Sequence, residues 1–146
     1  MKRLMVLAPL VLTVAVVAAG CGGSDSDPAP TQAEYITQAD AICKAANDEI
    51  VAAAQDQFGS AQPTQQELAT FASDTVVPNL QGQLDDLRAL TPPEGDSETT
   101  SAIYVSLEEA INALEADPGG ALNNNPDLDQ ATRLASDYGL ITCGAE

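Results

Sequence analysis

The chain has no histidine and no tryptophan, and its aromatic complement is three tyrosines and two phenylalanines in 146 residues. Without imidazole, neither a Ser-His-Asp triad, an HExxH zinc site nor a histidine general base can be assembled. Positive charge is nearly as scarce, with five Lys and Arg against 22 Asp and Glu and a formal charge of −17. Nucleic-acid phosphates and anionic lipid headgroups repel such a chain, so nucleic acid is excluded as a partner. No GxSxG elbow, GxxxxGK[ST] loop or GxGxxG turn occurs, which removes motif support for acyl transfer and for nucleotide binding. Nor does any stretch alternate Val, Ile or Thr with polar residues as a half-buried strand would. With so few aromatics, alanine and leucine must fill the core.

What is present begins with the N-terminus. Met1, Lys2 and Arg3 form a short positive region, Leu4 to Val17 an apolar run, and Ala18-Ala19-Gly20 a small-residue stretch that ends at Cys21. These are the three parts of an export signal. A membrane-spanning helix needs roughly 20 apolar residues, and this run is shorter and carries Pro9. A cysteine directly after Gly20 reads as a bacterial lipoprotein signal over residues 1–20, with Cys21 as first residue of the mature chain. Its sulfur would carry a diacylglyceryl group, palmitate being a typical acyl chain, and two or more chains anchor stably where one does not. Residues 21–30 then hold the lipidated Cys21 and a polar Gly/Ser/Pro tether that reaches at most ~30 Å from the lipid. Beyond the signal the cations are Lys44, Arg88 and Arg133 against 22 acids, a charge of −19. The lipid alone must therefore hold the chain at the outer face of the cell membrane, and the acidic exterior reads as a solvated surface.

Residues 31–146 suffice for one small domain. With Cys21 lipidated, Cys43 and Cys143 form an even pair in an oxidising compartment. A bridge between them closes a loop of about 100 residues, for which chain entropy gives ~4.7 kcal/mol. The alternative is two free thiols, one of them reactive, but no imidazole exists to activate a thiolate.

Four helical patterns fill the domain. Thr31-Gln32-Ala33-Glu34 is a capping box, followed by Tyr35, Ala39, Ile42, Ala46, Ile50, Ala53 and Phe58 at three- to four-residue spacing until Gly59. Asp40, Lys44 and Asp48 stand four apart and are placed to pair. Thr64-Gln65-Gln66-Glu67 is a second box, leading through Leu68, Phe71, Val76, Leu80, Leu84, Leu87 and Leu90 to Pro92-Pro93. Pro78 inside that run should kink the helix near Val77 or split it. A third helix carries Ile103, Tyr104, Leu107, Ala110, Ile111 and Leu114 and stops at Asp117-Pro118-Gly119-Gly120. After a loop, Asn125 caps the last helix with Pro126 in its first turn, and Gly139 ends it. The expected fold is all-α: an antiparallel four-helix bundle, its second helix kinked at Pro78, its C-terminal tail tied to the first helix by Cys43–Cys143.

Few polar residues suggest chemistry. Asp85-Asp86 and Glu108-Glu109 are neighbours on helices, about 100° apart, so neither pair converges as an acid–base dyad. Asn123, Asn125, Asp127 and Asp129 alternate oxygens as in a calcium loop, yet Leu128 and Leu134 stand where Gly and Glu are required. No metal and no cofactor is expected. Asp40, Cys43 and Asn47 share a helical stripe with Ile36, Ile50 and Ala54, which turns Asn47 toward the bundle, close to the disulfide and to Tyr138. Asp40, Asn47 and Tyr138 are then either a satisfied structural network or the polar floor of a small ligand pocket.

Three segments carry a resemblance: Tyr35-Ile36-x-x-Ala39-Asp40-Ala41-Ile42-Cys43-x-x-x-Asn47, Leu84-x-x-Leu87-x-x-Leu90-x-Pro92-Pro93, and Tyr138-Gly139-Leu140-x-x-Cys143-Gly144. Together they resemble small lipoproteins of actinobacteria, a family of unknown function. The resemblance implies an outer-face membrane location and a disulfide-tied helical fold, and it brings no catalytic residues. The expectation is a non-catalytic, lipid-anchored binding or accessory module of the cell envelope, with an envelope protein or a small molecule as partner. A structural lipoprotein without a pocket is the alternative, and a carboxylate-dependent hydrolase is a third reading.

Overall fold

The structure is a computed structural model that describes residues 28–145. The signal segment, Cys21 and the tether up to Asp27 lie outside the described residues. Every regular element among the described residues is helical: α1 (Gln32–Phe58), α2 (Gln65–Phe71), α3 (Val77–Ala89), α4 (Ser97–Ala116), α5 (Pro118–Ala121) and α6 (Pro126–Tyr138). Both capping boxes form. The Thr31 and Thr64 hydroxyls accept from the N–H of Glu34 and Glu67 at 3.3 Å, and each glutamate accepts in return from its threonine N–H at 2.9 and 2.7 Å. These bonds hold both carboxyls below their usual range, the backbone N–H bond contributing most.

The second helix is interrupted upstream of the expected place. A π-helical turn, Ala72–Val76, joins α2 to α3. The cause is Pro78, which has no N–H to give and whose ring crowds the carbonyl four residues back. The Val77 N–H reaches five residues back to Ala72 O, which widens the helix by one residue ahead of the proline. Helicity resumes with Pro78 in the first turn of α3.

One short helix had no counterpart among the four patterns. The expected stop at Asp117-Pro118-Gly119-Gly120 ends α4 but also starts the single turn α5, because Asp117 Oδ1 accepts from Gly120 N–H at 3.0 Å and Pro118 presets its φ. Ala121 is buried there, against the end of the fold where the Phe58 and Phe71 rings meet edge-on at 5.3 Å. Asn125 caps α6 as expected, its Oδ1 accepting from Leu128 N–H at 3.2 Å. It does more than cap: its amide is buried and donates to Ala110 O at 3.0 Å, pinning the start of α6 to α4.

The core is built from Tyr35, Ala39 and Cys43 of α1, Leu80, Leu84 and Leu87 of α3, Ile103, Tyr104, Leu107, Ile111 and Leu114 of α4, and Ala131 and Ala135 of α6. Cross-links between helices are few. Asn79 donates to Glu49 at 3.0 Å, Gln81 to Glu115 at 2.7 Å, and Arg88 pairs with Glu108 at 2.6 Å. Lys44 pairs with Asp48 alone, at 2.6 Å and well exposed, a contact worth little beyond ~0.3–0.5 kcal/mol. Both capping boxes, this core and the disulfide lie within residues 28–145, so a chain freed of residues 1–27 keeps every contact described here.

Candidate functional site

The C-terminal tail is where sequence and tertiary structure meet most closely. α6 ends at Gly139 with φ of +105°, and its N–H and that of Leu140 return to Ala135 O at 3.1 and 2.9 Å. This left-handed stop, which glycine adopts without a Cβ penalty, turns the chain back over α1. Leu140 is 1% exposed and drops into the core. Residues 141–143 then present three backbone N–H groups to one carboxylate. Asp40 accepts from Ile141, Thr142 and Cys143 at 3.2, 2.8 and 3.2 Å. The bridge itself joins Cys43 of α1 to Cys143, with the cysteine sulfurs 2.01 Å apart.

The three residues expected to converge do not. Asp40 is occupied by the tail turn, so its role in the described residues is to clasp the chain rather than to floor a pocket. Asn47 is exposed and stands at the cavity rim near Cys43, apart from Asp40 and Tyr138; Ala39, Cys43 and Ala46 set the buried face of α1 one position before it. Tyr138 sits at the opposite end of the tail and donates to Asp96 at 2.6 Å. Asp85, Asp86, Glu108 and Glu109 are exposed, and none of them converges with another on a cleft.

What the tail does border is a cavity of about 520 Å³, open on one side to solvent, among α1, α3, α4, α6 and the tail itself. Val76, Leu80, Leu87, Ile103, Leu107 and Leu128 supply apolar wall, and Cys43, Leu140 and Cys143 form the side closed by the disulfide. Asn47, Asp129 and Thr132 add polar atoms, and no Lys or Arg lines it. Its size falls within the roughly 300–1,000 Å³ typical of small-molecule sites.

Two residues that the sequence did not single out as site residues matter most here. Gln83 lines the cavity, its Nε2 donating to Cys43 Sγ at 3.0 Å, while its Oε1 is buried without a partner. A disulfide sulfur has no proton to give, so the amide nitrogen must face it and the oxygen is the atom left free. The signal was legible: Gln83 stands three after Leu80 and four before Leu87, a polar residue on the apolar stripe. Tyr104 also lines the cavity, its O–H donating to Leu87 O at 2.9 Å while its oxygen accepts from Tyr35 O–H. Tyr138 packs edge-on against Tyr35 with centroids 5.8 Å apart. All three phenols are pushed above the usual tyrosine range, in each case chiefly by burial, and for Tyr138 also by the bond to Asp96.

Comparison with protein-family models, with curated proteins and with solved structures returned no match.

The Asp40 clasp gives a direct expectation. Asp40→Ala leaves three tail N–H groups without their acceptor and should cost about 1–3 kcal/mol. Urea unfolding reads this as a lowered midpoint at unchanged slope, while the disulfide, measured by thiol titration, stays intact.

Proposed function

We propose that this chain is a lipid-anchored, non-catalytic binding module on the outer face of the cell membrane, an antiparallel helical bundle whose interior cavity receives a small apolar molecule. The observation that carries the binding reading is the 520 Å³ apolar cavity closed on one side by the disulfide-held tail. Its mouth is open to solvent between Asn47 and Asp129, and its inner wall is mostly aliphatic, the arrangement in which small apolar ligands are held. The antiparallel arrangement rests on the cross-links. Asn79 to Glu49 and Gln83 to Cys43 run in opposite senses along α3 and α1, as do Gln81 to Glu115 and Arg88 to Glu108 along α3 and α4. Asn125 to Ala110 and Tyr138 to Asp96 do the same for α6 and α4.

The anchoring reading rests on the Lys2-Arg3 start, the apolar run and Ala18-Ala19-Gly20-Cys21. None of the described helices is long and apolar enough to cross a membrane, so the proposed attachment is the lipid on Cys21. The likeness to small actinobacterial lipoproteins agrees with that placement.

Two measurements test this. Cys21→Ala should release the domain from the membrane fraction, and intact protein extracted from membranes should carry the mass of a diacylglyceryl-modified Cys21; unchanged attachment refutes the anchor. For the cavity, N-phenylnaphthylamine added to the domain from residue 28 onward should show saturable, blue-shifted emission at one equivalent. Thr132→Trp or Asn47→Trp, both at partly or fully exposed positions on the rim, should abolish it. Emission that never saturates, or that ignores both plugs, refutes the binding reading.

A further inference from the structure

We infer that the cavity takes an organic cation, an apolar body with an ammonium-type head that rests at the mouth beside the Asp129 carboxylate; this rests on the binding reading above. The wall sets the body. Val76, Leu80, Leu87, Ile103 and Leu107 are buried aliphatic residues along it, and no Lys or Arg stands among the lining. A charge carried into such surroundings without a partner is costly. The charged part of a ligand therefore stays at the side open to solvent.

The mouth sets the sign of the head. Asn47, Asp129 and Thr132 stand there, and Asp129 is the only carboxylate among the lining residues. It is exposed, so a ligand head in solvent can reach it. The two ion pairs among the described residues, Lys44–Asp48 and Arg88–Glu108, do not involve it. They engage two of the three cations that follow the signal. The third, Arg133, is exposed one turn further along α6 and lies outside the lining.

One feature of the mouth favours anions, and the chain already offsets it. The first turn of α6 borders the cavity through Leu128 and Asp129, and a helix N-terminus is electropositive. Asn125 caps that end, and Asp127 and Asp129 both stand in its first turn. An anionic head would thus meet a carboxylate and no counter-charge, in a domain with a large acidic excess. A neutral head meets neither gain nor penalty, and a cationic head gains an ion pair.

The test displaces N-phenylnaphthylamine from the domain from residue 28 onward, in low salt, with three ligands that share one body. Decyltrimethylammonium carries a permanent cation, decanol a neutral head and decyl sulfate an anion, each used below its micelle concentration. The ammonium should bind about two- to fivefold more tightly than the alcohol, the worth of a solvent-exposed ion pair. The sulfate should bind more weakly than the alcohol. Asp129→Asn keeps the shape of the side chain and removes its charge, and it should lower ammonium affinity by the same factor while leaving decanol unchanged. Asp127→Asn removes an acid from the same helical turn but not from the lining, and it should leave the ammonium preference in place.

An ammonium no tighter than the alcohol, or a sulfate no weaker, overturns the inference while leaving the cavity as a site. So does ammonium affinity that is unchanged in Asp129→Asn or falls equally in Asp127→Asn, and so does a bound probe that none of the three displaces. A native domain that fails to bind N-phenylnaphthylamine overturns the binding reading itself. Should Asp129→Asn lose its helical spectrum by circular dichroism, the native comparison is repeated in about 1 M salt, where charges are screened beyond ~3 Å. The ammonium preference should then vanish, and its persistence refutes the Asp129 contact.

Discussion

Cutting the Cys43–Cys143 bond should lower the stability of the domain by about 4–5 kcal/mol and, with it, dismantle one wall of the cavity. The magnitude follows from the sequence separation of 100 residues, since a bridge that closes so long a loop removes ~4.7 kcal/mol of unfolded-chain entropy. The structural half follows from the location of the bond. Cys43, Leu140 and Cys143 line the same side of the cavity, and the tail is otherwise held by the Asp40 clasp and by Leu140. Urea unfolding with and without reductant measures the first part. Probe affinity for a Cys43→Ser, Cys143→Ser double variant, compared with the native domain at a urea concentration where both stay folded, measures the second. A stability loss below about 1 kcal/mol, or unchanged probe binding, would count against the bridge as keystone of the tail.

Alkaline pH should undo the fold through its tyrosines. The chain has three, and all three have folded-state values above the unfolded value near 10. The sign is set by which state binds the proton more tightly, and here it is the folded one. The stability these phenols contribute is fully present below pH 10 and is lost progressively as pH rises from there toward the raised folded values. Each tyrosine that stays protonated in the fold while the unfolded chain ionises removes about 1.4 kcal/mol per pH unit. The loss deepens with each pH unit above 10 through which these phenols stay protonated in the fold, with Tyr35, 1% exposed, the most deeply buried of them. Tyrosinate absorbance should therefore not rise near pH 10 but later, in one step that coincides with loss of the helical signal. Separate, gradual ionisation with helicity retained would show that the Tyr35–Tyr104 and Tyr138–Asp96 contacts are open to water. The two capping glutamates act at the other extreme: with values held below the usual range, their contribution is present above it and is lost as pH falls.

Much of the local structure was legible because its causes are local. Thr31 and Glu34, Thr64 and Glu67, Asn125 and Pro126, and Gly59 and Gly139 each act within one helical turn, and each stands where periodicity placed a helix end. The interruption at Pro78 was legible in kind but not in form, since a missing N–H can be absorbed by a kink, a break or a π-turn. Neighbouring packing, with Ala72, Val76 and Val77 all buried, selected the last. The turn at Pro118–Ala121 was missed because four residues carry no periodicity to read.

The candidate site was read less well. Asp40 and Tyr138 were noticed as polar residues on or near an apolar stripe, but their partners lie 101 to 103 and 42 residues away. Asn47 lines the cavity beside Cys43 but at its exposed rim, since a stripe taken from spacing alone is uncertain by about a third of a turn. Gln83 stood on a leucine stripe and could have been marked from sequence. Its meaning could not, because that depends on the sulfur against its amide nitrogen.

The helical class, the ends of the main helices and the candidate pairing of Cys43 with Cys143 were all readable from the order of residues alone, and the proposed export signal ending at Cys21 rests on that order only. Composition, capping and hydrophobic period are all properties of neighbouring residues. That Asp40 clasps the tail, that the tail walls a cavity, and that Gln83 buries an oxygen with no partner emerge in the folded chain alone. Those are properties of groups brought together across the whole length of the chain, and no local pattern encodes which side of a buried amide is left free.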